Sequence, residues 1–447
     1  MRVVLVGLGQ VGQHVVGVLE QEGHEVLAVD RSHEVLAELE EHRDVGVLQG
    51  HGASRKVLEE AGCADADLVV TVTDDDQVNL VGALIARDLG ARRTIARVQA
   101  AHNSAPGWGI QRGLLGLDVA INPRVLVAEE MARIARSHGA LDVLGLVGER
   151  VELVAVELPG DSRVLHKPLA QLNLPAQTLV AAVVRDRELF VPGGADVLLP
   201  GDRCWLMGRA GKLEPVQDLF CGGREAARVA VVGGGVIGTL LARSLAHSGI
   251  DCLLMERDRQ RAEQLAADLA DTVVLHGDGT DAALLEEEHV AEHDLFCAVT
   301  ELDEVNLMAA LMAKRLGVPR TVSLVHRPDY LDIYRNLGID VALSPRLAAS
   351  DHILRHVRRG QLKSLTELEE GQAQVLEFVA VEGSRVAGMA LQRLNLPRGC
   401  IIGAIVKDDQ VIVPRGADVI APGDSVVVLT TGAARSAVER LFRKRSL

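Results

Sequence analysis

At 447 residues the chain is longer than a single hydrophobic core serves, and at roughly 150 residues per domain it should hold about three or four domains. Hydrophobic residues make up 48% of it, which marks a globular protein, while a formal charge of −15 and an aromatic content of 2% argue against nucleic acid as the main partner. The charge-free run Val229 to Ala242 is interrupted by glycines and falls short of the roughly 20 residues a membrane span needs.

In chain order, the N-terminus reads as a strand, MRVVLV, rather than as a signal peptide, so a cytosolic protein is expected. Short apolar runs follow: VVLVGL, VLAVD, VGVLQG, LVVTVT, TIARV and VAINP. They alternate with amphipathic segments such as HEVLAELEEH and QVNLVGALIARDLG. This is the βαβ alternation of a doubly wound parallel sheet with helices on both faces. A helix is expected after Pro123 at VLVAEEMARIARS. The text then turns β-rich, with VELVAVELPG, TLVAAVVRDRELFVPGG and DRCWLMG, a hairpin turn at Arg185-Asp186-Arg187-Glu188 and P-G-D turns. The segment CGGREAAR at 221–228 reads as a linker.

The whole plan then recurs at an offset of about 226 residues. VAVVGGGVIGTLLA echoes LVGLGQVGQHVVG, LHGDGTD echoes LQGHGAS, AVTELDEVNL echoes TVTDDDQVNL, and VPRGADVIAPGD echoes VPGGADVLLPGD. LAASDHILRHVRRG reads as the second crossover helix and LKSLTELEEGQ as a polar connector. The expected architecture is therefore α/β: two Rossmann-like doubly wound parallel-sheet domains, each followed by a small α+β module. The expected bounds are 1–123, a crossover helix at 124–140 and a module at 141–222, then 228–345, a crossover helix at 346–360 and a module at 371–442.

In the first fingerprint Gly7 permits the sharp strand-to-helix turn, Gly9 clears space where a pyrophosphate meets backbone N–H groups, and Gly12 lets helix pack on strand. The helix beginning near Gln10 and Val11 turns its positive end toward the phosphates, and Leu8 fills the loop between the glycines. Asp30 closes the next strand, where a carboxylate accepts hydrogen bonds from a ribose diol and repels a 2′-phosphate, which favours NAD over NADP. Strand before, helix after and acid at the next strand end make the motif specific. The second copy offers Gly233, Gly234, Gly235, Val236, Ile237 and Gly238, with Glu256 as its acid. His51, Thr73 and Asp74 fall at the same carboxyl edge, as do Asp278 and Thr300 in the second copy. Each of these also suits a plain turn. Arg97 would put a guanidinium near the phosphates, and its counterpart is Leu324, so the two clefts should not bind identically.

Other chemistry fits less well. His289-Val290-Ala291-Glu292-His293 matches an inverted zinc-peptidase pattern, but its repeat partners Gly62 and Ala66 suggest that the histidines straddle a loop. His352 and His356 read as surface residues of a helix. The six cysteines include no C-x-x-C pair and read as reduced thiols. The first β-rich module has His166 and the second has no histidine, so neither offers an obvious acid or base for hydride transfer. The nucleotide then reads as a ligand rather than a reagent.

These features resemble the family of TrkA-type potassium-uptake regulators, tandem RCK (KTN) proteins. The points of likeness are the opening G-x-G-Q-V-G with Asp30, LQGHGAS, the repeated V-T-acid pattern ending in V-N-L, VGGGVIG followed by LMERDRQRAEQLA, EEHVAEHDLFCAVT, and LNLPRGCIIGAIV with its following P-G-D. The resemblance implies a non-enzymatic peripheral protein on the cytoplasmic face of the inner membrane. It would bind NAD(H), and also ATP or ADP, and assemble as a dimer or tetramer into a ring that gates a TrkH- or TrkG-like potassium-translocating membrane protein. It places the first site at Gly7 to Val11, Asp30, Thr73, Asp74 and Arg97, and the second at Gly233 to Ile237, Glu256 and Thr300. Leu324 in place of arginine puts phosphate binding in the second cleft in doubt, and Asp278 replaces His51. The competing readings are an NAD-dependent oxidoreductase with a duplicated Rossmann domain and a regulator of another cation transporter.

Overall fold

The computed structural model describes residues 1–99, 110–137, 139–148, 150–222, 227–357, 362–369, 371–408 and 410–444. Parts of the expected linker and the end of the second crossover helix lie outside the described residues.

The first repeat opens with β1 (Arg2–Val6), α1 (Gln10–Gln21), β2 (Glu25–Asp30), α2 (His33–His42), β3 (Gly46–Gln49) and α3 (Arg55–Glu60). It continues with β4 (Leu68–Thr71), α4 (Asp76–Leu89), β5 (Thr94–Arg97), β6 (Ile110–Arg112), β7 (Val119–Ile121) and the crossover helix α5 (Pro123–Arg136). The strands form one sheet ordered β3-β2-β1-β4-β5-β7-β6, parallel except for β6 at the edge. Val3 to Val6 are buried on both faces, as an unbroken apolar strand requires when helices cover both sides. The first module follows with β8 (Ala140–Leu146), β9 (Val151–Glu157), β10 (Thr178–Arg185), β11 (Glu188–Phe190), β12 (Arg203–Arg209) and α6 (Glu214–Cys221). Asp186 and Arg187 take positive φ (51° and 68°) in the tight turn of the expected hairpin.

The second repeat brings β13 (Arg228–Val232), α7 (Val236–His247), β14 (Asp251–Glu256), α8 (Arg259–Asp268), β15 (Val273–His276) and α9 (Ala282–Glu287). After these come β16 (Leu295–Ala298), α10 (Asp303–Leu316), β17 (Thr321–Leu324), α11 (Leu331–Asn336), β18 (Val341–Leu343) and the crossover helix α12 (Pro345–Val357). Its sheet runs β15-β14-β13-β16-β17-β18, all parallel. The chain ends with β19 (Leu362–Leu368), β20 (Ala373–Val379), β21 (Cys400–Lys407), β22 (Gln410–Ile412), β23 (Ser425–Thr431) and α13 (Arg435–Phe442). The polar connector expected at LKSLTELEEGQ is thus mostly strand: β19 is the edge of an antiparallel sheet, paired with β20, with Leu365 and Leu368 buried. Charged and polar residues between the leucines disguise the alternation, and a register shift between Leu362 and Ser364 breaks its period.

The chain divides into two compact units, Met1–Ala132 with Ala227–Val357, and Arg133–Ala226 with Arg358–Leu447. In the first unit the two Rossmann lobes share a core. Ala349, Ile353 and Leu354 of α12 join the buried cluster that holds Val11, Val15, Val16 and Leu19 of α1. The second repeat's crossover helix therefore completes the core of the first repeat's lobe. In the second unit the two modules also share a core, with Leu153, Trp205 and Met207 of the first against Leu368, Val375, Ala404 and Leu429 of the second. Glu369 accepts hydrogen bonds from Trp205 Nε1 and Arg203 Nη1, both at 3.2 Å, across that pairing.

Candidate nucleotide-binding site

Each glycine of the two loops has its own geometric task. Gly7 and Gly233 sit at φ +98° and +111°, where a side chain is strained, and a Cβ there would stand 2.7 Å and 3.0 Å from the backbone N of Thr73 and Thr300. A Cβ on Gly12 or Gly238 would lie 1.9 Å from the carbonyl oxygen of Gly7 or Gly233. Gly9 and Gly235 have nothing within 4 Å of such a Cβ, so these positions are open toward solvent. Both N-cap the following helices without a side-chain cap, and neither α1 nor α7 has an acidic residue in its first turn. The free N–H groups and the helix dipole leave both ends ready for an anion.

The two acids are held against these loops. Asp30 accepts from Leu8 N at 2.7 Å and from Ser32 N at 2.9 Å, and Glu256 accepts from Gly234 N at 2.7 Å and Asp258 N at 2.8 Å. Each carboxylate oxygen keeps a lone pair for a ribose hydroxyl. Leu8 is buried, and its counterpart Gly234 has no room for a side chain because Leu265 lies 2.3 Å from where a Cβ would be. Gln10 is exposed at the start of α1.

The loop after the fourth strand is fixed by a buried asparagine in each copy. Asn79 Oδ1 accepts from Thr73 N and Thr73 Oγ1, both at 2.8 Å, while its Nδ2 donates to Thr73 O and Arg97 O. Asn306 does the same for Thr300 and Leu324. Asp76 and Asp303 hold the next loop, accepting from Gln99 N at 2.8 Å and His326 N at 2.8 Å. His51 lies on an exposed turn, its Nδ1 accepting from Ala53 N. Asp278 makes the equivalent turn, and the hydroxyl and N–H of Thr280 hold its carboxyl below the usual range.

One cavity of about 450 Å³ joins the two lobes. Its wall holds Gly233, Gly235, Val236, Ile237, Glu256, Asp278 and Thr300 of the second repeat, and Val11, Asp74, Arg97 and Arg124 of the first. Arg97 had been expected at the phosphates of its own cleft. It is buried at the edge of that cleft, with Nη2 donating to Thr73 O at 2.7 Å and Asp74 Oδ1 at 2.8 Å, and it also lies on the wall of the cavity that reaches the second glycine loop. The histidine pair of the zinc-like pattern does straddle a turn: His289, at φ 51°, precedes a single 3-10 turn (Val290–Glu292) and His293 follows it. His352 lies on α12, and the side chain of His356 falls outside the described residues.

The TrkA-N domain family matches residues 3–123 and 229–345, and the TrkA-C domain family matches 153–220 and 375–443. The chain belongs to the TrkA family. A TrkA relative, the Trk system potassium uptake protein of Halomonas elongata, is 34% identical over 457 residues, covering 99% of each chain. Among solved structures, the GsuK RCK domain covers 99% of this chain and 94% of its own at 18% identity and a TM-score of 0.60. The GsuK channel bound to NAD matches with a TM-score of 0.60 at 19% identity, over 99% of this chain and 78% of the channel. At such identities the likeness shows a shared RCK fold. Within the TrkA frame, sequence reasoning passed over Asn79 and Asn306, Asp76 and Asp303, and Arg124 and Arg346. The repeat was the available signal: D-x-V-N-L and N/S-P-R recur in both halves at matching places.

Proposed function

We propose that this chain is the nucleotide-sensing regulatory subunit of a potassium-uptake system, acting on a separate TrkH- or TrkG-like translocating membrane protein. The observation that carries the reading is the pair of uncapped glycine-loop helices, each facing an acid at the next strand end, in a chain of the TrkA family. NAD(H) is the expected ligand, because Asp30 and Glu256 suit a ribose diol and disfavour a 2′-phosphate, and the GsuK channel of the same fold has been captured with NAD. ATP and ADP share the adenosine and pyrophosphate that the loop would hold. Among the described residues no helix is long and apolar enough to cross a membrane. In this reading the chain works from a peripheral position on the cytoplasmic face, assembled as a dimer or tetramer.

In this reading the nucleotide is a ligand and no hydride leaves it. A ligand shifts the arrangement of the two lobes only through its differential affinity for their states. The cavity they share gives a bound nucleotide contacts on both. The test is to titrate NAD, NADH, ATP and ADP against the purified chain, with Asp30→Ala and Glu256→Ala as site controls, and to follow potassium flux through the reconstituted transporter. Binding that changes flux, with no oxidation of NADH, supports the reading; steady turnover of NADH would make the chain an oxidoreductase instead.

A further inference from the structure

The last helix, α13, and the residues just after it carry a charge pattern opposite to that of the chain as a whole. In a protein of formal charge −15, Arg435, Arg440, Arg443 and Lys444 fall close together, with Glu439 as the one carboxylate among them. A fifth cation joins them from the segment before: Arg385 N donates to Leu441 O at 3.0 Å, and Lys444 pairs with Ser384 in a β-bridge. The stem of Lys444 lies along Gly383, its Cγ 3.5 Å from where a Cβ would be. Arg385, Arg440, Arg443 and Lys444 are exposed. Among the described residues Arg385, Arg440 and Lys444 have no acidic partner. Arg443, 69% exposed, reaches Glu439 only at 3.6 Å, and that carboxylate is already held by Arg435 at 2.9 Å.

Cations in the last turn of a helix complement its dipole, but the duplication shows that the fold does not need them. In the first module α6 occupies the equivalent place, with Leu219-Phe220 matching Leu441-Phe442. There Asp218 stands for Arg440, Cys221 for Arg443 and Gly222 for Lys444. Both helices still bury their phenylalanine, Phe220 and Phe442. The positive end is thus a property of the second module alone, added to a helix that packs equally well without it.

The form of the patch indicates what it meets. A specific protein interface offers apolar and aromatic groups at its centre. On α13 the large apolar residues Val438 and Phe442 are turned into the module's own core, so charge is what faces outward. A layer of anionic headgroups asks for no more, since four or more Lys and Arg side chains gathered on an amphipathic helix bind it electrostatically.

We infer that this end of the second module is a docking surface for the anionic lipid headgroups of a bilayer, contacted by Arg385, Arg440, Arg443 and Lys444 with no apolar group inserted. The choice of a membrane rests on the peripheral position proposed above. The surface adds an anchor of the chain's own, independent of the translocating protein.

The test is flotation of the full-length chain with vesicles of phosphatidylcholine alone and of phosphatidylcholine mixed with phosphatidylglycerol. The chain should float with the mixed vesicles and not with the neutral ones, and should be released at 1 M salt, where the screening length falls to about 3 Å. Arg440→Gln and Lys444→Gln should each weaken binding roughly fivefold, and the two combined with Arg443→Gln roughly a hundredfold. Lys212→Gln, which removes the same charge from an exposed site in the first module, should leave binding within about twofold. Thermal melts should be unchanged for these exposed positions. Equal binding to both vesicles, no binding to either, or equal loss in Lys212→Gln would overturn the proposal. So would equal affinity for a DNA duplex, which would mark a general polyanion site, or binding that appears only when the translocating protein is embedded in neutral vesicles, which would mark a protein partner. The assay on empty vesicles needs neither nucleotide nor flux, so its failure leaves nucleotide control of the transporter standing, and failure of that control leaves the lipid result standing.

Discussion

Gly9 and Gly12 are three residues apart and answer to different constraints. A methyl group on Gly12 would collide with the carbonyl oxygen of Gly7, a backbone atom that cannot step aside. Gly12→Ala should cost about 1–3 kcal/mol or more, read as a lower melting temperature. Gly9 has open space where its Cβ would be and an ordinary φ of −66°, so Gly9→Asp should melt like the unmutated chain while losing NADH at the first cleft. The thiols supply a pH prediction. Burial pushes Cys63 and Cys400 up to about 11 and Cys252 up to about 12. Because these values are raised on folding, the stability they contribute is complete below the unfolded thiol value of about 8.5 and is lost as pH rises through the folded ones. Thermal melts should therefore fall progressively above about pH 9, less so when Cys252 is replaced by alanine after correction for its effect at pH 7. The glycine tasks were legible in the sequence because they follow from the absence of a side chain. That Arg97 also lines a cavity reaching the second glycine loop was not, since that depends on how two distant lobes meet.

Among the elements, α12 tests the exchange between repeats. Ile353 is 1% exposed and packed in the first lobe's core, so Ile353→Ala should cost about 2–5 kcal/mol. Hydrogen exchange should show the loss in α1 and β1, in the other repeat, at least as strongly as in β18. The Asn79 clamp offers a second check. Removing its buried side chain leaves the half-buried N–H of Thr73 without that acceptor, and Asn79→Ala should cost about 1–3 kcal/mol and weaken nucleotide binding at the first cleft. Most helices and parallel strands were readable because their apolar periods are clean, as in VVLV and HEVLAELEEH. β19 was not, because Lys363, Ser364, Thr366 and Glu367 outnumber the leucines of an edge strand and polar text there looks like a loop. Asn79 was equally hidden, since a polar residue four places into a helix gives no outward sign that it faces a buried strand end.

At the scale of the molecule, ligand and architecture are linked. A nucleotide present at a hundred times its dissociation constant should stabilise the unit that binds it by about 2.7 kcal/mol, visible as a concentration-dependent rise in melting temperature. The fold as a whole was legible because the duplication doubles every signal; the joining of the repeats was not, because no local pattern says which lobe a crossover helix will cover. That joining has a consequence for how the protein is made. The apolar stripe Val11, Val15, Val16 and Leu19 leaves the ribosome early, but Ile353 and Leu354, which close over it, follow some 220 residues after Ala132. At about 5–20 residues per second the nascent first lobe stays uncovered for roughly 10–45 s, so the newborn chain presents a chaperone with a fixed, predictable window and a defined hydrophobic strip to hold until its own far end arrives.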